Sequence, residues 1–531
     1  MEIFRQYGIS EDIIAAGTPP HQMSQIVWQT SLGGEGPLDR KVLGVHDTWG
    51  CKVGTERHSV YQRDAPHMPS NLPLLRSEPV LRAHAEKHNP GKILFNQKVV
   101  DFKDEGDAVL VHVETVDGRQ LMYRAQYVFG ADGGKTVGAA LGIQMEGPKQ
   151  LRKMVSVHFK ADLSQYWDDR TCIAHFANPE SGSGRRSGSM LPLGPSWGRH
   201  SEEWQMHFST DVGASEFSIE DAKPRVRVLL KLPDLELEVV TVSSWVMERV
   251  LADSYRKGRI FIGGDSAHRH PPTTGLGLNT AVQDAHNIAW KLALVLKGKA
   301  SPSLLAIRLQ EAQLERNRIH FEALLDETSE IGKASRATLQ NVINSQVIEF
   351  GAHEMDLGLF YPHGCVIADG TSPPPPDPIH EKYTPTTTPG HRLPHVWLER
   401  EGKAFSTHDL IGQNGDFLLI IDRDGQPWVG AATQAAKERN IGIRIAQITG
   451  PFKGVGENEY LDPEGRWELL KGFNKGGAIL VRPDNIIGWR ALGPGNSSAV
   501  SAAFDKILGT SEVSVDGHGV DKFWNKWNNP R

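Results

Sequence analysis

The residues with the clearest chemical logic lie together at positions 258–279. They read Gly258-Arg259-Ile260-Phe261-Ile262-Gly263-Gly264-Asp265-Ser266-Ala267-His268, then Arg269-His270-Pro271-Pro272-Thr273-Thr274-Gly275-Leu276-Gly277-Leu278-Asn279. A buried-type strand ends in a Gly-Gly-Asp turn, a rigid Pro-Pro segment follows, and a long helix begins behind a glycine-rich loop. Each part has a chemical use. Glycines let a ligand approach the backbone closely. The Asp265 carboxylate can accept hydrogen bonds from ribose or ribitol hydroxyls, and free N–H groups at a helix start stabilise the electron-rich edge of a ring. The plainer alternative is a strand-turn-helix whose glycines serve packing alone.

A second strand-to-helix turn reads Val128-Phe129-Gly130-Ala131-Asp132-Gly133-Gly134-Lys135-Thr136-Val137 and closes with Leu141-Gly142-Ile143. Ahead of the first motif stand Trp245, Glu248 and Arg249. Arg249 reads equally as a pocket-shaping cation or as a solvated arginine. His268 and His270 have no thiolate or carboxylate partner at ligand spacing, so no metal is expected. Cys51, Cys172 and Cys365 are odd in number and far apart. That excludes a disulfide framework and a thiolate-built zinc site, and it points to a reducing, cytoplasmic compartment.

The elements that must position these motifs come from a chain of 531 residues, 39% of them hydrophobic, which suffices for two or three ordinary cores. No apolar run approaches the roughly 20 residues of a membrane span. A formal charge of −6 without a long basic block argues against nucleic acid. The clearest seam is Ser372-Pro373-Pro374-Pro375-Pro376-Asp377-Pro378, followed by Thr384-Pro385 and Pro389-Gly390. Such a run favours extended, polyproline geometry. It divides the chain into residues 1–370, a Pro-rich linker 371–390, and a C-terminal domain 391–531. Strands are expected at 92–95, 108–114, 126–130, 154–160, 204–210 and 238–245, the last three in a mixed sheet that could roof a pocket. Helices are expected at 78–88, 219–230, 279–297 and 304–327. The C-terminal piece reads strand 417–421, helix 431–439, strand 442–447, paired strands 478–481 and 486–490, then helix 498–508. That order is similar to a thioredoxin-like fold, yet the piece has no cysteine, so dithiol redox chemistry is excluded there.

With these motifs in hand, the chain resembles the FAD-dependent aromatic hydroxylases of the phenol hydroxylase and 2,4-dichlorophenol 6-monooxygenase type. The residues that carry the resemblance are Gly264, Asp265, His268, Pro271, Pro272, Gly275, Gly277, Asn279 and Asp284, with the Asp132-Gly133 turn in support. Pro389-Gly390-His391-Arg392-Leu393-Pro394-His395-Val396-Trp397 is similar to the opening of that family's C-terminal domain. The resemblance implies an α/β, p-hydroxybenzoate-hydroxylase-like FAD-binding fold with a mixed-sheet substrate domain and a C-terminal thioredoxin-like domain. It implies FAD contacts at Asp132, Gly133, Gly264, Asp265, His268, Gly275, Gly277, Leu278 and Asn279. It also implies catalytic roles for the Pro272 carbonyl and for Arg249.

The implied reaction uses NAD(P)H and O₂ to hydroxylate a phenolic or polyketide-like substrate through a flavin C4a-hydroperoxide. Epoxidation of an electron-rich alkene stands as an alternative. The chain departs from the family pattern at Leu74, where a Gln is usual, and at Gly138, near an expected Arg. No Gly-x-Gly-x-x-Gly fingerprint occurs. The resemblance therefore implies a fold incomplete at its N-terminus by roughly 30 to 50 residues, the scale of a βαβ unit. Sheet edges at 126–130 and 260–263 would then be exposed, and a non-catalytic homologue is a further alternative. Oligomeric state stays open, a homodimer being one assembly the resemblance allows.

Overall fold

The computed structural model describes residues 1–177, 187–210, 217–272, 275–306, 351–377, 380–450, 456, 458–495 and 498–510. Two seven-stranded sheets dominate these residues, with three smaller sheets of three strands each. The first large sheet runs in the order Glu238–Met247, Arg152–Lys160, Glu203–Thr210, Ser187–Gly194, Thr171–Ala177, Gln25–Gln29 and Val42–Asp47. Because side chains alternate along a strand, its two faces differ. One face, with Val155, Val157, Phe159, Trp204, Met206 and Phe208, packs on Val226, Leu229 and Leu230 of the helix Ile219–Leu230. Each such buried side chain contributes roughly 1.5–3 kcal/mol. A capping box between Ser218 and Asp221 starts this helix, and Lys231, left-handed at φ 53°, ends it. The other face carries a row set by strand register: Trp28, His175, Ser189, His207, Ser156 and Ser243.

The strand Ile260–Ile262 pairs in parallel with Val128–Gly130, bringing the two motif turns side by side. An exposed edge was expected on both strands. Ile260–Ile262 corrects that expectation: the chain folds back at Gly258, and Arg256–Lys257 covers its other edge, so all three residues are buried. Val128–Gly130 does stand at the edge of this small sheet.

The second large sheet has Phe417–Ile421 between a parallel neighbour, Ile443–Thr449, and an antiparallel one, Ala478–Val481, which pairs on with Ile487–Ala491. Helices Gln426–Glu438 and Ser498–Leu508 cover one face, so the element order is the expected one. The proline-rich segment contains no helix or strand among its described residues, but it is not a loose tether. Arg490 pins it through Thr371 Oγ1 at 2.7 Å and Thr387 Oγ1 at 2.9 Å.

Other expectations shift in instructive ways. No strand forms at 92–95; pairing begins at Gln97–Asp104, after Asn96 has turned the chain at φ 58°. The helix expected at 78–88 begins earlier, as Leu74–His88, and runs through Pro79. The long helix also begins earlier, as Leu276–Leu296, because Gly275 at φ 64° starts it directly. The helix expected at 304–327 falls outside the described residues beyond Pro302–Ala306. Among the described residues no helix is long and apolar enough to cross a membrane. Cys51, Cys172 and Cys365 are buried and unpaired, and burial pushes the thiols of Cys51 and Cys172 up to about 12.

Leu229 is fully buried between the helix Ile219–Leu230 and the sheet. Leu229→Ala is expected to destabilise the fold by roughly 2–5 kcal/mol in urea unfolding. A loss below about 1 kcal/mol would contradict this packing.

Candidate cofactor and active site

The site is assembled where Ile260–Ile262 ends. Gly264 adopts φ 57°, which only glycine takes up freely, and turns the chain so that Asp265 is exposed. The Asp265 carboxylate has no protein partner among the described residues; Arg269 Nη1 reaches only its backbone carbonyl, at 3.2 Å. A short run later the long helix begins at Gly275 without a side-chain cap. Its first N–H groups are therefore available to a ligand. Space is open there: a Cβ added to Gly275 or Gly277 would have no neighbour within 4 Å among the described residues. Leu278, 41% exposed, and Asn279 lie at the same helix start.

One buried carboxylate holds turn and helix together. Asp284 Oδ2 accepts from Gly264 N at 2.9 Å and bonds His268 Nε2 at 2.7 Å. Both side chains are wholly inaccessible. The His268 ring faces the helix, under the turn, so its Nε2 serves the frame.

The second motif turn is joined to the first. Asp132 Oδ1 accepts from Ser266 Oγ at 2.8 Å and Gly134 N at 3.1 Å, while Oδ2 accepts from Thr136 N at 2.7 Å and Val137 N at 2.8 Å. Both oxygens are thus engaged, so Asp132 shapes the turn and does not offer a carboxylate to a ligand. Burial favours its protonated form, but the hydrogen bonds from Val137, Ser266, Thr136 and Gly134 outweigh it and hold the carboxyl below its ordinary range. Gly133, exposed at φ 69°, leaves open space above the turn. Arg269 completes the frame by pairing with Glu248 at 2.8 Å.

Around this frame several groups are suited to a ligand. Arg249 Nη1 and His270 Nε2 are buried without a hydrogen-bond partner among the described residues. Arg249 and His270 follow at the same end of the ladder in which Val250 pairs with Arg269. Burial, and secondarily His268, lowers His270 to about 4, so it is neutral at pH 7. The Pro272 carbonyl accepts from Gly275 N at 3.1 Å and keeps a second lone pair. Among the described residues, a carboxylate without a partner at Asp265, an uncapped helix start and the unpaired Nη1 of Arg249 form a donor and acceptor set that fits FAD. Leu74, 53% exposed, opens the helix Leu74–His88, whose Arg76 reaches Glu203 at 3.1 Å. Among the described residues no group of three or more His, Cys, Asp or Glu side chains could hold a metal ion.

Three contributors escape motif reasoning as site residues: Ser266, Arg269 and Asp284. Only Asp284 carried a prior signal, its place in the resemblance. Which way each side chain points becomes visible only once the strands are paired.

A parallel strand pair that presents two linked turns beside an uncapped helix defines a nucleotide-cofactor protein, and comparison with known proteins specifies it further. A family described as FAD binding domain matches residues 1–319, and one described as aromatic-ring hydroxylase, C-terminal, matches residues 386–511. The 2,4-dichlorophenol 6-monooxygenase of Delftia acidovorans is 30% identical over 96% of this chain and 90% of its own length. Tetracenomycin A2 monooxygenase-dioxygenase of Streptomyces glaucescens is 30% identical over 98% of this chain and 90% of its own. The crystal structure of the flavin-dependent monooxygenase PieE with FAD and substrate superposes with a TM-score of 0.84 at 29% identity, covering 96% of this chain and 91% of that one. The chain belongs to the FAD-dependent aromatic hydroxylase and monooxygenase family.

Because the folded carboxyl of Asp132 is depressed, its stabilising effect is present above the ordinary Asp value and is lost as pH falls through the folded value. In urea unfolding across a pH series, Asp132→Asn is expected to flatten the fall in stability below about pH 4. Superimposable pH profiles for the two proteins would contradict the geometry.

Proposed function

We propose that this chain hydroxylates a phenolic ring, borne on a simple phenol or on a fused aromatic polyketide, with FAD, NAD(P)H and O₂. The observation that carries the reading is the exposed Asp265 carboxylate, without a partner among the described residues, on a turn bonded to the same long helix whose start has no side-chain cap. Asp265 would hold ribitol hydroxyls, and the N–H groups near Leu278 and Asn279 would face the pyrimidine edge of the flavin. FAD held there and reduced by NAD(P)H would supply the O₂ activation that places one oxygen atom on an electron-rich carbon, the other being released as water.

The chain's own part is orientation and polarity. The remaining lone pair of the Pro272 carbonyl can accept the hydrogen of a phenol hydroxyl, which raises electron density on the ring. Arg249, with a buried guanidinium nitrogen unpaired, supplies positive charge next to that carbonyl's loop. The open face of the first large sheet suits a flat, oxygen-bearing substrate. Trp28 stacks on His175 there at 5.0 Å, and His207 Nδ1 shares Ser156 Oγ with Trp245 Nε1 at 2.9 and 3.1 Å. Burial lowers His175 to about 4 and also lowers His207, so both are neutral hydrogen-bonding groups at pH 7. The last strand of this sheet, Glu238–Met247, leads straight into Glu248 and Arg249 at the cofactor end. Relatives named for 2,4-dichlorophenol, phenol and tetracenomycin A2 support the substrate class. A cytoplasmic home and a homodimer are part of the same proposal.

The test is NAD(P)H consumption by FAD-loaded protein across a panel of simple phenols and hydroxylated polycyclic aromatics, with product analysis by mass spectrometry. At least one panel member is expected to accelerate consumption and to gain a single oxygen atom. No stimulation and no oxygenated product with a flavin-loaded sample would reject the reading. Asp265→Ala is expected to weaken FAD binding by roughly tenfold or more, the scale of one charge-assisted hydrogen bond. Unchanged affinity would remove Asp265 from the grip.

A further inference from the structure

The helix Leu276–Leu296 belongs to both halves of the molecule. It starts at the candidate cofactor site, and its second half is buried in the core of the C-terminal domain, where Trp290 meets Phe417 edge-on at 6.0 Å. Along one face lie Thr280, Asp284, Asn287 and Lys291, each 2% exposed or less. Their spacing of four, three and four residues makes them one stripe. A buried polar stripe destabilises a helix unless each member finds a partner.

Here the partners differ in kind from one end of the stripe to the other. Thr280 bonds its own helix at Leu276 O. Asp284 holds the turn at Gly264 and His268. Asn287 donates Nδ2 to Asp484 Oδ2 of the C-terminal domain at 3.0 Å and accepts from Lys291 Nζ at 2.7 Å. Asp484 is gripped in turn by Arg482 through two hydrogen bonds, one of them Nε to Oδ1 at 2.9 Å. The Arg482 guanidinium lies over the rings of Trp290 and Tyr361, 5.4 Å from each centroid. Successive members of one stripe are therefore tied to the cofactor turn and to the C-terminal domain, and a helix transmits displacement along its axis because its backbone hydrogen bonds keep it stiff. From Asn287 to Leu276 is about 16 Å at 1.5 Å per residue.

We propose that the Arg482–Asp484 pair of the C-terminal domain is a positioning element for the cofactor grip, acting through Asn287 to fix the register of the long helix against the Gly264–Asp265 turn. This rests on reading that turn and helix start as the FAD site. It assigns the cysteine-free domain a mechanical role in place of redox chemistry. When Asn287 loses its bond to Asp484, Asp284 is the one member of the stripe that still ties the helix to a neighbouring element by a hydrogen bond among the described residues, and the register of its first turn against the Gly264–Asp265 turn loosens.

Two variants test the proposal. Asn287→Ala removes the connector, and the double variant Arg482→Met with Asp484→Leu replaces the ion pair by apolar residues of similar volume, a change that buried pairs often tolerate. The readouts are amide hydrogen exchange across residues 276–280 without flavin, FAD affinity from quenching of flavin fluorescence, and the tryptophan-monitored unfolding midpoint. In both variants, exchange at 276–280 is expected to rise by roughly tenfold and FAD affinity to fall by a similar factor, while the midpoint stays within about 0.5 M urea of the parent. Parental exchange and parental FAD affinity in a folded variant would overturn the proposal. If Asn287→Ala fails to fold, the double variant decides. A parent chain that retains no FAD would reject the cofactor reading alone, since the flavin-free exchange data still judge the coupling.

Discussion

The hydrogen bonds that converge on Asp284 Oδ2 are the constraint on which the rest of the site depends. A single wholly buried oxygen ties Gly264 N and His268 Nε2 to the long helix, so the turn carrying Asp265 is joined to the helix that begins behind Gly275. Removing such a carboxylate would leave the buried His268 Nε2 and the part-buried Gly264 N–H without their partner, and an orphaned buried polar group costs about 1–3 kcal/mol before any ligand is considered. Asp132 plays the matching part for the neighbouring turn, with both oxygens spent on protein donors. The result is a division of labour among carboxylates: buried Asp284 and half-buried Asp132 build the frame, while exposed Asp265 has no hydrogen-bond partner for its carboxylate among the described residues.

The same helix links that frame to the C-terminal domain. Its apolar residues Trp290 and Leu294 contribute to a core that also contains Phe417 and Phe504, and its polar stripe passes from the cofactor turn to Asp484 within two helical turns. The first large sheet is attached to the frame by continuity of chain through Glu248, paired with Arg269. Cofactor turn, open sheet face and C-terminal domain therefore meet at one element, and the polar row Trp28, His175, Ser189, His207 and Ser156 is carried on a sheet made rigid by the packed helix on its far side.

Much of this arrangement is legible in the amino-acid sequence, for definite reasons. Alternation of large apolar and polar residues marks 154–160 and 204–210 as strands because one face of their sheet is covered and the other is open. The motif at 258–279 is legible because glycine takes up φ 57° at Gly264 and φ 64° at Gly275 without the steric cost a side chain would add. Side-chain direction is not legible in the same way. His268 and Asp132 read as ligand contacts by their place in a motif, and only the folded chain shows that the His268 ring bonds Asp284 and that the Asp132 carboxylate bonds Ser266 of the neighbouring turn. The apolar run at 92–95 fails as a strand because Asn96 takes a left-handed turn and pairing begins only beyond it. The proline-rich segment reads as a tether, but Arg490, over one hundred residues away in sequence, fastens it.

The central claim is that the Gly264–Asp265 turn and the start of the long helix grip FAD. It is tested most directly by mixing the purified chain with excess FAD, removing unbound flavin by gel filtration, and recording the visible spectrum of the protein peak. The account predicts a flavin band at about one equivalent per chain, the stoichiometry of a single-site binder. A folded, colourless protein peak with all flavin in the late fractions would contradict it.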